Sequence, residues 1–445
     1  MPSTDGRSHA TLPIEPGEPH AGDDGAAGLF GDALAHSVGW AASLVLAFLL
    51  VPLLVHRLSA SDYGIWLTSL AATAGLGTLS LGIWWTVNRE LSAHADQVAP
   101  PRALIADAYS TALLLGLAGG FLLCLAGDRG FWLGPTVTEG QRVTLMLAGP
   151  AFLFDQITAC ASAILAGRRQ FGRLNGTGVA MNVVRAGGIA VLLVRGNGLT
   201  SVALWSVLTA AVGTCAFVLA GGGGAKWQRE LRVVPPLSVL RRQARFTAQL
   251  QATFLLGSGM AQVVPLLVAR VLGSGAVVPL YVGMRIPQVL ATFAHRLGEA
   301  GYPLMVRIDR IRPGVFPQLA ATATRCLVLV LLPASFVLWI GAPVLLRLWL
   351  GSFAPETLVI FRLVTLAFML EAVTVPIDIA LTAGGRSGTM LAVAVAATAA
   401  HLLVLVIFLP RVGVTATAVA LFVATVVQTA GYGVAIWRTK SPGTH

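Results

Sequence analysis

The sequence predicts an all-α polytopic membrane protein: twelve transmembrane helices in two parallel six-helix repeats, arranged as two lobes. Three observations carry this. Of 445 residues, 56% are hydrophobic and 11% charged, with a mean hydropathy of +0.79, whereas a soluble domain is about 25% charged. Apolar runs long enough to cross ~30 Å of hydrocarbon recur along almost the whole chain. The two halves also repeat polar and apolar residues at a nearly constant offset. Together these exclude a soluble enzyme, a disordered scaffold and a secreted disulfide domain.

In chain order, residues 1–30 form an acidic tail rich in Pro, Gly, Asp and Glu, with too little apolar surface to fold. No basic stretch leads into a short apolar segment, so no cleaved signal peptide is expected. Twelve spans follow, near 35–56, 64–86, 106–126, 143–166, 174–195 and 199–220, then 250–272, 276–298, 319–341, 357–383, 387–409 and 412–436. Each is long enough to cross with some tilt. The eighth holds Arg285 and Pro287, and the tenth holds two acids. The spans define an N-terminal lobe (31–220), a basic linker (221–249) that opens on four glycines, a C-terminal lobe (250–437) and a short tail (438–445). Gly runs make flexible connectors, and the stretch from Trp227 to Phe246 could alternatively lie along an anionic leaflet.

Charge sets the orientation. Arg7 against six acids gives residues 1–34 a balance of −5, so the net +11 leaves +16 scattered between apolar runs. That distribution argues against a nucleic-acid partner. With both termini on one side, that side carries 19 Lys and Arg and the other 7, with four more inside spans. The positive-inside rule then puts both termini in the cytoplasm. Cys124, Cys160, Cys215 and Cys326 fall singly inside apolar runs and read as packing residues.

The halves read as copies. Val51-Pro52-Leu53-Leu54-Val55 recurs as Val264-Pro265-Leu266-Leu267-Val268, with Arg57 on Arg270, at an offset of 213. Trp132-Leu133-Gly134 recurs as Trp349-Leu350-Gly351 at an offset of 217, which also maps Glu139 onto Glu356 and Arg169 onto Arg386. Six spans per copy start each repeat on the same side, which makes the repeats parallel, with a cavity expected between them.

Ionisable groups within spans usually face a cavity or a partner. Arg185, Arg285, Arg325 and Arg362 lie in spans, with the acids Asp155, Glu371 and Asp378. An excess of Arg suits an anionic ligand, because a guanidinium pairs bidentately with phosphate oxygens. Arg325 and Arg362 sit near span ends and can snorkel. Arg185 and Arg285 lie deeper, where facing a ligand and making a structural ion pair both remain open. Glu371 and Asp378, seven apart, share a helix face, and Asp155 maps to position 372. These acids could couple transport to H⁺ or Na⁺, or could neutralise the arginines. No nucleotide loop, metal spacing or catalytic set is present, so neither an enzyme nor a bound cofactor is expected.

Several stretches resemble a known family. VPLLVHRLSASDYGIW (51–66), LSLGIWWTVNREL (79–91), LAGRRQFGRLN (165–175), VLGSGAVVPLYVGMRI (271–286) and Trp349-Leu350-Gly351 resemble polysaccharide transporters. These form the Wzx-type flippase branch of the multidrug/oligosaccharidyl-lipid/polysaccharide (MOP) exporter superfamily, relatives of the V-shaped MATE transporters. The resemblance implies a flippase in the bacterial inner membrane, moving undecaprenyl-pyrophosphate-linked oligosaccharide for O-antigen, capsule or exopolysaccharide synthesis. Its partners would be the lipid-linked glycan, the bilayer and the polysaccharide polymerase machinery. Arg285 matches the eighth-helix basic position of lipid-carrier flippases and is the first choice of pyrophosphate contact, with Arg185 beside it. Arg57 and Arg89 match recurring basic positions, whose alternative role is to pin loop ends. Lipid II flippases usually carry two further C-terminal helices, and drug-exporting MATE proteins an acid in the first helix, which 35–56 lacks. A MATE-type cation-coupled exporter is the alternative, and a non-transporting glycan scaffold lies beyond it.

Overall fold

The computed structural model of the chain describes residues 41–78, 87, 91, 102–130, 137–168, 170–221, 237, 241, 251–252, 255–295, 316–383 and 387–440. The acidic tail, Arg89, Arg169, Arg386, the Trp132-Leu133-Gly134 copy and nearly all of the 221–249 linker lie outside the described residues. The described residues contain no β-strand. Their helices are α1 (Ala41–Arg57), α2 (Ala60–Gly77), α3 (Arg102–Asp128), α4 (Glu139–Gly167), α5 (Phe171–Val194) and α6 (Leu199–Ala220). The second half adds α7 (Leu255–Leu272), α8 (Ser274–Arg285 and Pro287–His295), α9 (Phe316–Leu350), α10 (Pro355–Ala383), α11 (Ser387–Val412) and α12 (Thr415–Lys440). Nine of these are long and apolar enough to cross a membrane, and α8 makes ten among the described residues. The chain is a multi-pass, all-helical membrane protein.

Three elements depart from the predicted spans. The second begins at Ala60, because Ser59 caps it by accepting a 3.0 Å bond from the Asp62 amide, a polar first turn that hydropathy passes over. The ninth runs on to Leu350, through Pro343, and its last turn carries Arg347, a cation suited to the negative end of a helix. The eighth is not one straight span. It bends by 53° between Arg285 and Pro287, where the proline has no N–H to continue the ladder.

The repeat is visible in both register and packing. Moved by 217 residues, α3–α6 fall on α9–α12; moved by 213, α1 and α2 fall on α7 and α8. In each half the same partners meet: α3 on α4, α4 on α6 and α5 on α6, mirrored by α9 on α10, α10 on α12 and α11 on α12. The α3–α4 crossing is close, since a Cβ on Gly120 would stand 2.8 Å from the Gly149 carbonyl oxygen. Small residues are what let membrane helices approach this way. The α5–α6 and α11–α12 turns also match, reversing at Gly196 (φ 79°) and Gly413 (φ 76°), left-handed backbone that glycine adopts without steric cost.

The α1–α2 and α7–α8 turns meet, with the starts of α4 and α6 packed beside them; this end is here termed the turn end. The largest apolar cluster sits mostly at the turn end and runs across both lobes, joining Leu54, Ile65 and Val202 to Val268, Ile360 and Leu405. Three smaller clusters of described residues each stay within one lobe. One, with Tyr109, Cys160 and Leu165, belongs to the N-terminal lobe; two others, around Leu331 and Tyr432, belong to the C-terminal lobe. Apolar burial is the main favourable term in such contacts, so the lobes are joined at the turn end. Helix α1 touches both lobes. Asn182 donates to Ser43 at 2.8 Å, while Phe48 stacks on Trp349 at 4.3 Å and accepts the Trp349 indole N–H at 3.0 Å.

Candidate transport site

Helix α2 lies at the centre of the site. Most of its first three turns is buried, against α4 on one side and α7, α8 and their connecting turn on the other. At its start, Ser61 Oγ lies 3.1 Å from Ser274 Oγ. These serines are separated by 213 residues, the repeat offset, so the pseudo-two-fold axis relating the lobes passes between them. One turn further on, Gly64 runs against the Ser274 carbonyl with no room for a Cβ. Gln141 buttresses this closure from α4. Its amide donates to Asp62 Oδ1 at 2.9 Å and to Ser61 Oγ at 3.2 Å, while its own turn is closed by a capping box with Thr138.

Beneath the closure lies Arg285, at the bend of α8. Its guanidinium sits 4.1 Å over the Tyr281 ring, and Tyr63 of α2 meets the same ring edge-on at 6.4 Å. Two buried polar atoms here, Arg285 Nε and Tyr63 Oη, have no hydrogen-bond partner among the described residues. Among the described residues no carboxylate lies within ion-pair distance of Arg285. A cation held inside a membrane span without a counter-charge is costly.

The other predicted residues are distributed elsewhere. Asp155 and Arg185 line one cavity inside the N-terminal lobe, between α2, α4, α5 and α6, with Trp66, Ser69, Thr73 and Ser206. The cavity is roomy enough to hold water. Arg285 and Arg57 are not among the residues lining it. Arg57 is exposed at the end of α1. In the C-terminal lobe, His295 Nε2 of α8 is 3.1 Å from Glu371 Oε1, and the Tyr432 hydroxyl donates to Asp378 Oδ1 at 2.9 Å. Glu371 and Asp378 thus share a helix but hold different partners. Arg362 lies 4.8 Å over the Trp339 ring and donates to its carbonyl at 3.3 Å, while Arg325 is exposed. No three His, Cys, Asp or Glu side chains among the described residues could hold a metal, and the described cysteines are free.

Sequence reasoning did not single out Tyr63, His295, Tyr432 or the Ser61–Ser274 pair. The repeat offset would have found the serines. Tyr63 carries no charge to mark it, and His295 stands at the margin of its span.

No family model matches the sequence, and no curated protein matches it. Solved structures do match. Lipid II flippase MurJ in an inward closed conformation superposes at a TM-score of 0.70, over 91% of this chain and 87% of that chain, at 12% identity. A multidrug resistance MATE family transporter of the MOP superfamily, inward-facing, gives 0.66 over 90% of this chain and 100% of that chain, at 14% identity. An outward-facing MATE structure gives 0.58 over 93% and 96%, at 16% identity. The chain has the fold of the MOP exporter superfamily, the architecture of the lipid II flippase and MATE structures it matches.

Proposed function

We propose that the protein is a flippase that moves undecaprenyl-pyrophosphate-linked oligosaccharide across the bacterial inner membrane for polysaccharide synthesis. One observation carries the reading: Arg285 stands at the bend of α8, beneath the closure between the lobes, with no carboxylate to neutralise it among the described residues. A diphosphate supplies the missing negative charge, and its oxygens accept the guanidinium fork. The lipid tail would stay in the bilayer while the lobes exchange closure between their two ends. With both termini cytoplasmic, the turn end would face outward. Arg185 would serve as a second cation within the N-terminal lobe, and Arg57 and Arg89 would guide the headgroup near the helix ends. Asp155, Glu371 and Asp378 are the proposed coupling acids for H⁺ or Na⁺, and the polymerase machinery would take the product.

A second reading, a MATE-type cation-coupled exporter, draws on the Asp155 cavity and on the MATE structures among the matches. The two separate in proteoliposomes loaded with diphosphate-linked oligosaccharide in one leaflet. Translocation by the wild-type protein and its loss in Arg285→Ala support the flippase; no translocation by folded wild type, with efflux of organic cations instead, supports the exporter.

A further inference from the structure

The two orphaned atoms beneath the closure belong to different lobes. Tyr63 is 1% exposed and stands on α2, whereas Arg285 stands on α8, and Tyr281 lies between them in contact with both. A buried hydroxyl without a partner is a standing cost to the fold, and folded proteins rarely keep one. Apolar replacement would remove the cost while keeping the ring, its T-shaped contact and its place in the turn-end core. A phenol is a single strong O–H donor, and the guanidinium Nε–H is another. An oxyanion with several acceptor oxygens can accept from both donors at once.

We propose that Tyr63 is a specificity-determining residue, the N-terminal lobe's hydrogen-bond donor to the same phosphate oxygens that Arg285 reads from the C-terminal lobe. This rests on the flippase reading and extends it. The ligand class is a phosphate or diphosphate group, carried on a polyprenyl lipid. Both donors are shut inside the turn-end core in this form, so the bond to Tyr63 forms as that core parts. The anion therefore holds the two lobes to one headgroup during the change of access. A ligand without acceptor oxygens would leave both donors unpaired.

The test compares Tyr63→Phe, Arg285→Gln and wild type for binding of undecaprenyl pyrophosphate in nanodiscs and of inorganic pyrophosphate in solution, with Tm measured without ligand. Tyr63→Phe is expected to bind diphosphate about tenfold to a hundredfold more weakly, the loss for one hydrogen bond to a charged group. Its ligand-free Tm is expected to stay level or rise, because an unpaired buried hydroxyl has gone. A merely structural tyrosine would give the reverse pattern. Unchanged diphosphate affinity in Tyr63→Phe, with binding lost in Arg285→Gln, overturns the role of Tyr63 and leaves the flippase reading standing. Binding unaffected by either substitution, or no binding by wild type, overturns both. Binding of the lipid but not of inorganic pyrophosphate assigns the ligand to the lipid headgroup, and equal binding of both assigns it to the diphosphate alone; either supports the proposal if Tyr63→Phe weakens it.

Discussion

Substitution of Gly64 by alanine probes the closure between the lobes. A Cβ at this position would run into the Ser274 carbonyl, which belongs to the first turn of α8 and has backbone on both sides. The clash cannot be relieved by swinging a side chain aside, so α2 and the turn must separate. Overpacking of this kind costs about 1–3 kcal/mol. The cost falls only on the form in which the turn end is shut, so the balance between closed and open turn ends should move by about 5- to 150-fold. The shift can be read by cross-linking. In a background with Cys124, Cys160, Cys215 and Cys326 replaced, Ser61→Cys with Ser274→Cys places two thiols where the hydroxyls now lie 3.1 Å apart. The pair should oxidise readily in the Gly64 protein and several-fold more slowly with Gly64→Ala. Equal cross-linking with and without the alanine would refute the argument that this glycine sets the closure.

Other expectations follow from individual contacts. Gln141→Ala removes the bonds to Ser61 and Asp62 and half of the capping box, and should cost about 2 kcal/mol, seen as a lower Tm in detergent. Trp349→Ala loses the stack on Phe48 and the bond to its carbonyl, roughly 2 kcal/mol together, and should loosen α1 from the C-terminal lobe, measurable as faster amide exchange over 41–57. Glu371→Gln combined with Asp378→Asn should leave substrate binding intact but make transport insensitive to collapse of the H⁺ or Na⁺ gradient. Transport that still follows the gradient in this variant would move coupling to Asp155.

Much of the architecture was legible because the physics behind it is one-dimensional. Bilayer thickness writes itself into the length of apolar runs, and the repeat writes itself into matched Arg, Trp and Gly residues. The bend of α8 was announced by Pro287 inside a span. The polar residues were harder to place, because their meaning depends on which helix lies opposite. Glu371 and Asp378 share a face by spacing, yet one meets His295 on α8 and the other Tyr432 on α12. Arg185 and Arg285, alike in depth by sequence, stand in an N-terminal-lobe cavity and at the bend of α8 respectively. Tyr63 gave no signal at all, since an aromatic residue in an apolar helix reads as packing until its orphaned hydroxyl is seen beside a cation.

The central claim is that the protein reads the charge of a diphosphate between its lobes. Its most direct test is transport in proteoliposomes of two glycolipids with the same oligosaccharide and the same polyprenyl tail, one joined through pyrophosphate and the other through a neutral linker. The account predicts rapid translocation of the pyrophosphate form, little of the neutral form, and loss of the difference in Arg285→Ala. Equal rates for the two lipids in the wild-type protein would contradict it.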